Sequence, residues 1–121
     1  MDSSTAERVS VQGLKEAIEG RDGARLAGFY AEDAEMRVID RLNPPSRPRV
    51  LQGRAAIAEH WADVCGRAMT HAVDFAVTEG DRLAFSQACA YPDGTLVACL
   101  ATLELQDGRI ARQTTVQAWD E

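Results

Sequence analysis

The sequence is nearly without lysine: twelve of its 13 basic residues are arginine, and only Lys15 is lysine. The arginines are scattered and form no patch, which marks compositional bias rather than a binding surface. Against 19 acidic residues the formal net charge is −6, and an acidic chain is a poor match for nucleic-acid phosphate. No apolar run approaches the ~20 residues that a membrane span needs. The opening stretch MDSSTAERVS has neither the basic nor the apolar region of a secretory signal, so export is not expected. Cysteine is sparse and odd in number (Cys65, Cys89, Cys99). That argues against a disulfide framework and for a reducing cytoplasm. The two histidines, His60 and His71, and the cysteines have no metal-ligand spacing, so neither a metal nor a cofactor is expected.

What is present describes one folded domain over 1–121, with 45% hydrophobic and 26% charged residues. Ser4 and Glu7 have capping-box spacing and predict a helix starting near Thr5. Val11, Leu14 and Ile18 recur along one of its faces. Asp22 can cap a short second helix carrying Leu26, Phe29 and Tyr30. Glu35 to Asp40 reads as a strand, and 41–49, with Asn43-Pro44-Pro45 and Pro48, as an irregular loop. Ile57, Trp61, Val64 and Ala68 share one face of a helix from about Arg54 to Ala68.

The period then becomes two. His71, Val73, Phe75 and Val77 alternate with smaller or polar residues, as do Leu83, Phe85, Gln87, Cys89 and Tyr91. Pro92-Asp93-Gly94 and Asp107-Gly108 are hairpin signals, with long strands at about 95–106 and 109–119. Helices first, one helix in the middle and a closing antiparallel meander make an α+β domain. Strands this long must twist and curl, and a curled sheet covered by helices forms a cone able to hold one small ligand.

Two stretches, Leu14-Lys15-Glu16-Ala17-Ile18-Glu19-Gly20-Arg21-Asp22 and Leu26-Ala27-Gly28-Phe29-Tyr30-Ala31-Glu32-Asp33-Ala34-Glu35, resemble the opening of the nuclear-transport-factor-2-like (NTF2-like) superfamily. Gln52-Gly53-Arg54-Ala55-Ala56-Ile57 and the closing Asp107-Gly108-Arg109-Ile110 with Trp119-Asp120 continue the likeness. Within that superfamily the chain looks most similar to the SnoaL-like group, which includes polyketide cyclases, with a layout close to ketosteroid isomerase. The resemblance implies a cone-shaped fold, a curved antiparallel sheet wrapped by three helices. It also implies a homodimer through the outer face of the sheet, where Ala84, Ser86, Ala88 and Ala90 allow close approach. It does not fix the chemistry, because this fold hosts many activities. Aligning the motifs puts Leu14, Val38 and Ala101 where ketosteroid isomerase has its tyrosine, base and acid, and none of these can move a proton. The Arg-and-two-Asp set of limonene-type epoxide hydrolases is not evident either.

The candidate catalytic residues are Asp40, His60 and Tyr30. Asp40, two residues after Val38, is expected at the rim of the cone, where burial would favour its use as a base; otherwise it caps the proline loop. His60 beside Trp61 suits a proton shuttle or a structural histidine. Tyr30 suits an oxyanion donor or a core aromatic with its hydroxyl satisfied. Trp61, Gln87, Tyr91, Cys99, Gln113 and Gln117 are the candidate ligand-binding residues. Gln87 interrupts an apolar face, and a buried amide without a partner costs about 1–3 kcal/mol. Cys89 and Cys99, with no basic neighbour in the chain, read as small packing residues, and His71 as a surface residue at the mouth.

The last strand leaves two registers open. A two-residue Asp107-Gly108 turn puts Ile110, Thr114 and Val116 on the face of Leu105, whereas a three-residue turn puts Gln113, Thr115, Gln117 and Trp119 there. The expected function is a cofactor-independent enzyme doing acid–base chemistry on a hydrophobic, carbonyl-bearing metabolite. The alternative is a non-catalytic ligand-binding or dimerisation module.

Overall fold

The structure is a computed structural model that describes residues 7–120. Helix α1 (Val11–Glu19) starts where Ser10, in extended conformation, accepts the Gly13 amide at 3.0 Å. This is later than the Ser4–Glu7 spacing predicts. Glu7 is held by Arg25 at 2.8 Å rather than capping a helix, and Ser4 and Thr5 lie outside the described residues. Asp22 caps α2 (Gly23–Gly28) by accepting the Arg25 amide at 3.0 Å. The α3 helix (Arg54–Cys65) ends before Ala68, with the Gly66 amide closing on Ala62.

Among the described residues, six strands follow the order β2-β1-β6-β5-β4-β3 in one curved sheet that does not close. They are β1 (Tyr30–Ile39), β2 (Arg49–Gln52), β3 (Thr70–Glu79), β4 (Arg82–Ala90), β5 (Leu96–Gln106) and β6 (Arg109–Trp119). The prolines at 44, 45 and 48 stay out of the sheet, but the chain recovers at Arg49 to add β2 as an edge strand against β1. Only the β1–β6 pair is parallel. Leu14, Ile18, Leu26, Ile57 and Trp61 of the helices meet Met36, Val38, Leu83, Phe85 and Leu103 of the sheet in the main core.

Two bulges decide which side chains face inward. In β6 the Asp107-Gly108 turn has two residues, both at positive φ (54° and 78°), and pairs Leu105 with Ile110. A bulge at Ala111 then shifts the register so that Glu104 pairs with Arg112. Ile110, Gln113 and Thr115 are all buried in consequence, so each of the two registers open from sequence describes part of the strand. In β3 a bulge at Asp74 separates the Val73–Gln87 pair from the Phe75–Ser86 pair. Phe75 and Val77 therefore turn outward, 66% and 50% exposed, while His71 and Val73 keep to the inner face. The single alternating face expected from 71 to 77 is split at that point, because one extra residue reverses a period of two.

Candidate functional site

The pairing of strands stacks the inner face in transverse rows. Deepest lies Leu83–Leu103–Gln113–Met36, then Phe85–Ala101–Thr115–Val38, then Val73–Gln87–Cys99–Gln117, and at the mouth His71–Cys89–Val97–Trp119. Polarity rises from floor to mouth. With His60, Trp61 and Val64 of α3, and Arg67 and Met69 beyond it, these rows, apart from Leu83, Leu103, Val38 and Val73, line a cavity of about 50 Å³. That is room for a few waters or a small polar head. A larger ligand needs the mouth to open.

The floor is a continuous hydrogen-bond chain. The Trp61 indole N–H donates to the Tyr30 hydroxyl at 3.2 Å, the hydroxyl donates to Gln113 Oε1, and Gln113 Nε2 donates to Thr115 Oγ1 at 3.0 Å. Burial pushes the Tyr30 phenol well above its ordinary range, with the Trp61 hydrogen bond opposing. Its proton is committed to Gln113. Tyr30 is not among the lining residues; it orients the Gln113 amide from behind and does not present a donor to the cavity.

One row higher, the oxygen of Gln117 accepts the Trp119 indole N–H at 3.0 Å, and the oxygen of Gln87 accepts the Cys89 thiol at 3.5 Å. Gln87 and Gln117 stand opposite Cys99 on its two neighbouring strands, and with both amide oxygens engaged their NH2 groups are the donors left for a ligand. His60 meets Trp61 edge to face at 5.4 Å between centroids. Burial, reinforced by Arg49 and Arg67, pushes its imidazole down to about 4. His60 is therefore neutral near pH 7, a hydrogen-bond acceptor and a weaker base than free imidazole.

Four side chains from four segments close the mouth. Arg41 lies over the Trp119 ring at 4.3 Å, Trp119 stacks on Tyr91 at 5.8 Å, and Arg67 donates to the Tyr91 hydroxyl at 3.0 Å. Asp63 anchors Arg67 at 2.6 Å.

Of the sequence candidates, His60, Trp61, Gln87, Tyr91, Cys99, Gln113 and Gln117 line the cavity together. Asp40 does not, which corrects the expectation that it faces inward. Strand β1 ends at Ile39, and the Asp40 carboxylate turns into the following loop, where Oδ1 accepts the amides of Leu42 and Asn43 and the Asn43 side chain, each at 2.9 Å. An isolated bridge to Asn43 fixes the turn. Strand period cannot place a residue beyond the end of its strand.

Sequence reasoning missed His71 and Cys89 as lining residues. His71 Nδ1 lies 3.2 Å from Cys89 Sγ, a neighbour 18 positions away that only the β3–β4 register reveals. Among the described residues, no group of three His, Cys, Asp or Glu side chains is arranged to hold a metal ion. Nor, among them, is any helix long and apolar enough to cross a membrane.

A family model described as a SnoaL-like domain matches residues 11–113. No curated protein matches the chain. Among solved structures, an NTF2-like protein of unknown function from Mesorhizobium loti superposes with a TM-score of 0.77 at 20% identity, over 88% of this chain and 86% of that one. A Kribbella flavida protein provisionally named a ketosteroid isomerase gives 0.71 at 22% identity, over 91% and 74%. A loop-truncation variant of IdmH gives 0.66 at 24% identity, over 96% and 92%. At these identities the likeness is one of fold.

Proposed function

The chain belongs to the SnoaL-like family, and from that premise we propose that it is a cofactor-independent enzyme of the isomerase, cyclase or dehydratase type. Its substrate would be a hydrophobic metabolite bearing a carbonyl group. One observation carries the reading: the cavity places the half-buried imidazole of His60 in the same enclosure as the amide groups of Gln87 and Gln117, with no carboxylate among its lining residues. An imidazole can take a proton from the carbon beside a carbonyl while amide N–H groups hold the developing oxyanion. Trp61, Tyr91 and Trp119 supply apolar walls, and Tyr30 fixes the floor through Gln113.

Proton exchange tests this directly. Butanone in D2O should lose its α-protons faster with the protein than in buffer matched for free imidazole, followed by proton NMR. His60→Asn should remove most of that acceleration, and exchange no faster than buffer discards the acid–base reading. The alternative, a non-catalytic ligand-binding or dimerisation module, is favoured by the commitment of Asp40 to its turn.

The same proposal extends to assembly. On the outer face, Phe75, Ser86, Leu100, Val116 and Ile39 form one transverse row, and Leu100 and Val116 are 61% and 44% exposed. A second copy would cover this stripe in a homodimer.

A further inference from the structure

In the sequence Cys89 has no basic neighbour, but the fold changes its surroundings. The bulge at Asp74 sets His71, rather than Ala72, opposite Cys89. Their side chains meet on the inner face, with Nδ1 3.2 Å from Sγ. Cys99, opposite Gln87 on the next strand, packs in the same buried cluster, and the Gln87 oxygen, 3.5 Å from the sulfur, accepts the thiol only while Cys89 is neutral. All four residues line the cavity. The Nε2 atom of His71 is buried and has no hydrogen-bond partner among the described residues, so the ring's contact with Cys89 is its defined polar attachment. The other titratable or charged groups around this sulfur are Asp74 of β3, Tyr91 beyond β4, and His60 and Arg67 on the α3 side.

We propose that Cys89 and His71 form a thiolate–imidazolium pair that adds reversibly to a conjugated carbonyl compound held in the cavity. This rests on the carbonyl-binding reading above and narrows it to α,β-unsaturated substrates. In the step, the Cys89 thiolate forms a C–S bond to the β-carbon and the C=C π pair shifts toward the carbonyl oxygen. The resulting enolate oxygen is held by the amide donors of Gln87 and Gln117. The imidazolium proton of His71 then passes to the α-carbon and leaves the ring neutral. The sum is addition of a thiol across a double bond, with no oxidant or reductant, and reversal returns the proton to His71 and expels the thiolate.

The electrostatics agree with that geometry. The hydrogen bond from Cys99 does most to hold Cys89 below the ordinary thiol range, and His71 adds to it, against burial and the charge of Asp74. Cys99 is driven upward by the same contact and by burial, so it stays protonated as the donor. Cys65, which burial also pushes up, has no histidine contact among the described residues and is the internal reference thiol.

The test uses the full chain with methyl vinyl ketone, a small conjugated ketone, and intact-mass and peptide-level mass spectrometry across a pH series. One adduct should form at Cys89 ahead of Cys65, with a rate whose inflection lies below the ordinary thiol range. His71→Asn should slow it about tenfold at pH 6.5 and shift the inflection upward, since the thiolate fraction falls while each thiolate becomes somewhat more nucleophilic. Modification at Cys65 alone, an inflection at the ordinary thiol value, or equal rates with and without His71 overturns the pair. If His71→Asn does not fold, His71→Gln takes its place, because the wild-type pH profile reports the thiolate and not its partner. Butanone exchange separates the two readings. Exchange with an inert Cys89 removes the thiol proposal alone, whereas a Cys89 adduct without exchange removes the acid–base reading and leaves the nucleophile.

Discussion

The guanidinium of Arg41 rests 4.3 Å over the indole of Trp119, although 78 positions of chain separate them. Arg41 belongs to the turn held by Asp40, and Trp119 ends β6. The Asp40 carboxylate therefore shapes the site indirectly, by fixing the loop that presents Arg41 to the mouth.

Removing that closure should open the cavity. Trp119→Ala removes both the Arg41 contact and the Tyr91 stack, and such contacts contribute about 0.5–1.5 kcal/mol each. Acrylamide should quench the remaining indole, Trp61, more strongly in the variant than in a control that keeps the mouth, Arg41→Lys. Unchanged quenching of Trp61 would mean that the stack does not limit access.

The floor network should matter to stability more than its size suggests. Tyr30→Phe leaves the buried Gln113 oxygen and the Trp61 N–H without their shared partner, at about 1–3 kcal/mol. Urea denaturation should show that loss. Adding Gln113→Leu should recover part of it, since an apolar pair leaves fewer unsatisfied groups.

Acid should destabilise the fold through His60 before it reaches the carboxylates. Its folded value, about 4, lies below the unfolded 6.5, so the unfolded chain binds the proton first. The stability linked to His60 is complete above pH ~6.5 and is lost as pH falls toward ~4, by up to about 3 kcal/mol. Glu7, Glu16 and Glu19, held low chiefly by side-chain hydrogen bonds from Arg25, Gln12 and Lys15 respectively, act below about 4.5. Chemical denaturation between pH 5 and 7, compared between the wild type and His60→Gln, separates this histidine from the Cys89–His71 pair, and the variant should flatten that stretch of the curve.

The outer face should govern assembly. Leu100→Glu puts a charge in the middle of the exposed stripe and leaves the inner rows untouched. Light scattering should give twice the chain mass for the wild type and one chain mass for the variant, with circular dichroism unchanged. A monomeric wild type at micromolar concentration removes the dimer.

Much of the architecture could be read locally. The helical stripe of Leu14 and Ile18, the Asp22 cap and the Asp107-Gly108 turn are short-range signals, and two helices and a hairpin form at them, although α1 starts later than Ser4 and Glu7 predict and α2 stops at Gly28, before the Phe29 and Tyr30 expected in it. The inward Gln87 and Cys99 were also in view, because β4 and β5 keep an unbroken period of two, whereas Gln113 and Gln117 on β6 belonged to one of the two registers left open.

Asp40 and His71 were not placed correctly, and each depends on where a strand slips or stops; Cys89 was placed on the inner face but without its histidine neighbour. An extra residue at Asp74 or Ala111 leaves no local mark, since the same amino acids fit either face of a short stretch; burial summed over the whole sheet selects the slip. The amino-acid order alone determined that a curled sheet would form under three helices, because periodicity and turn chemistry act within a few residues. Tertiary structure decided which polar side chains share its interior, because strand register is settled between segments far apart in the chain.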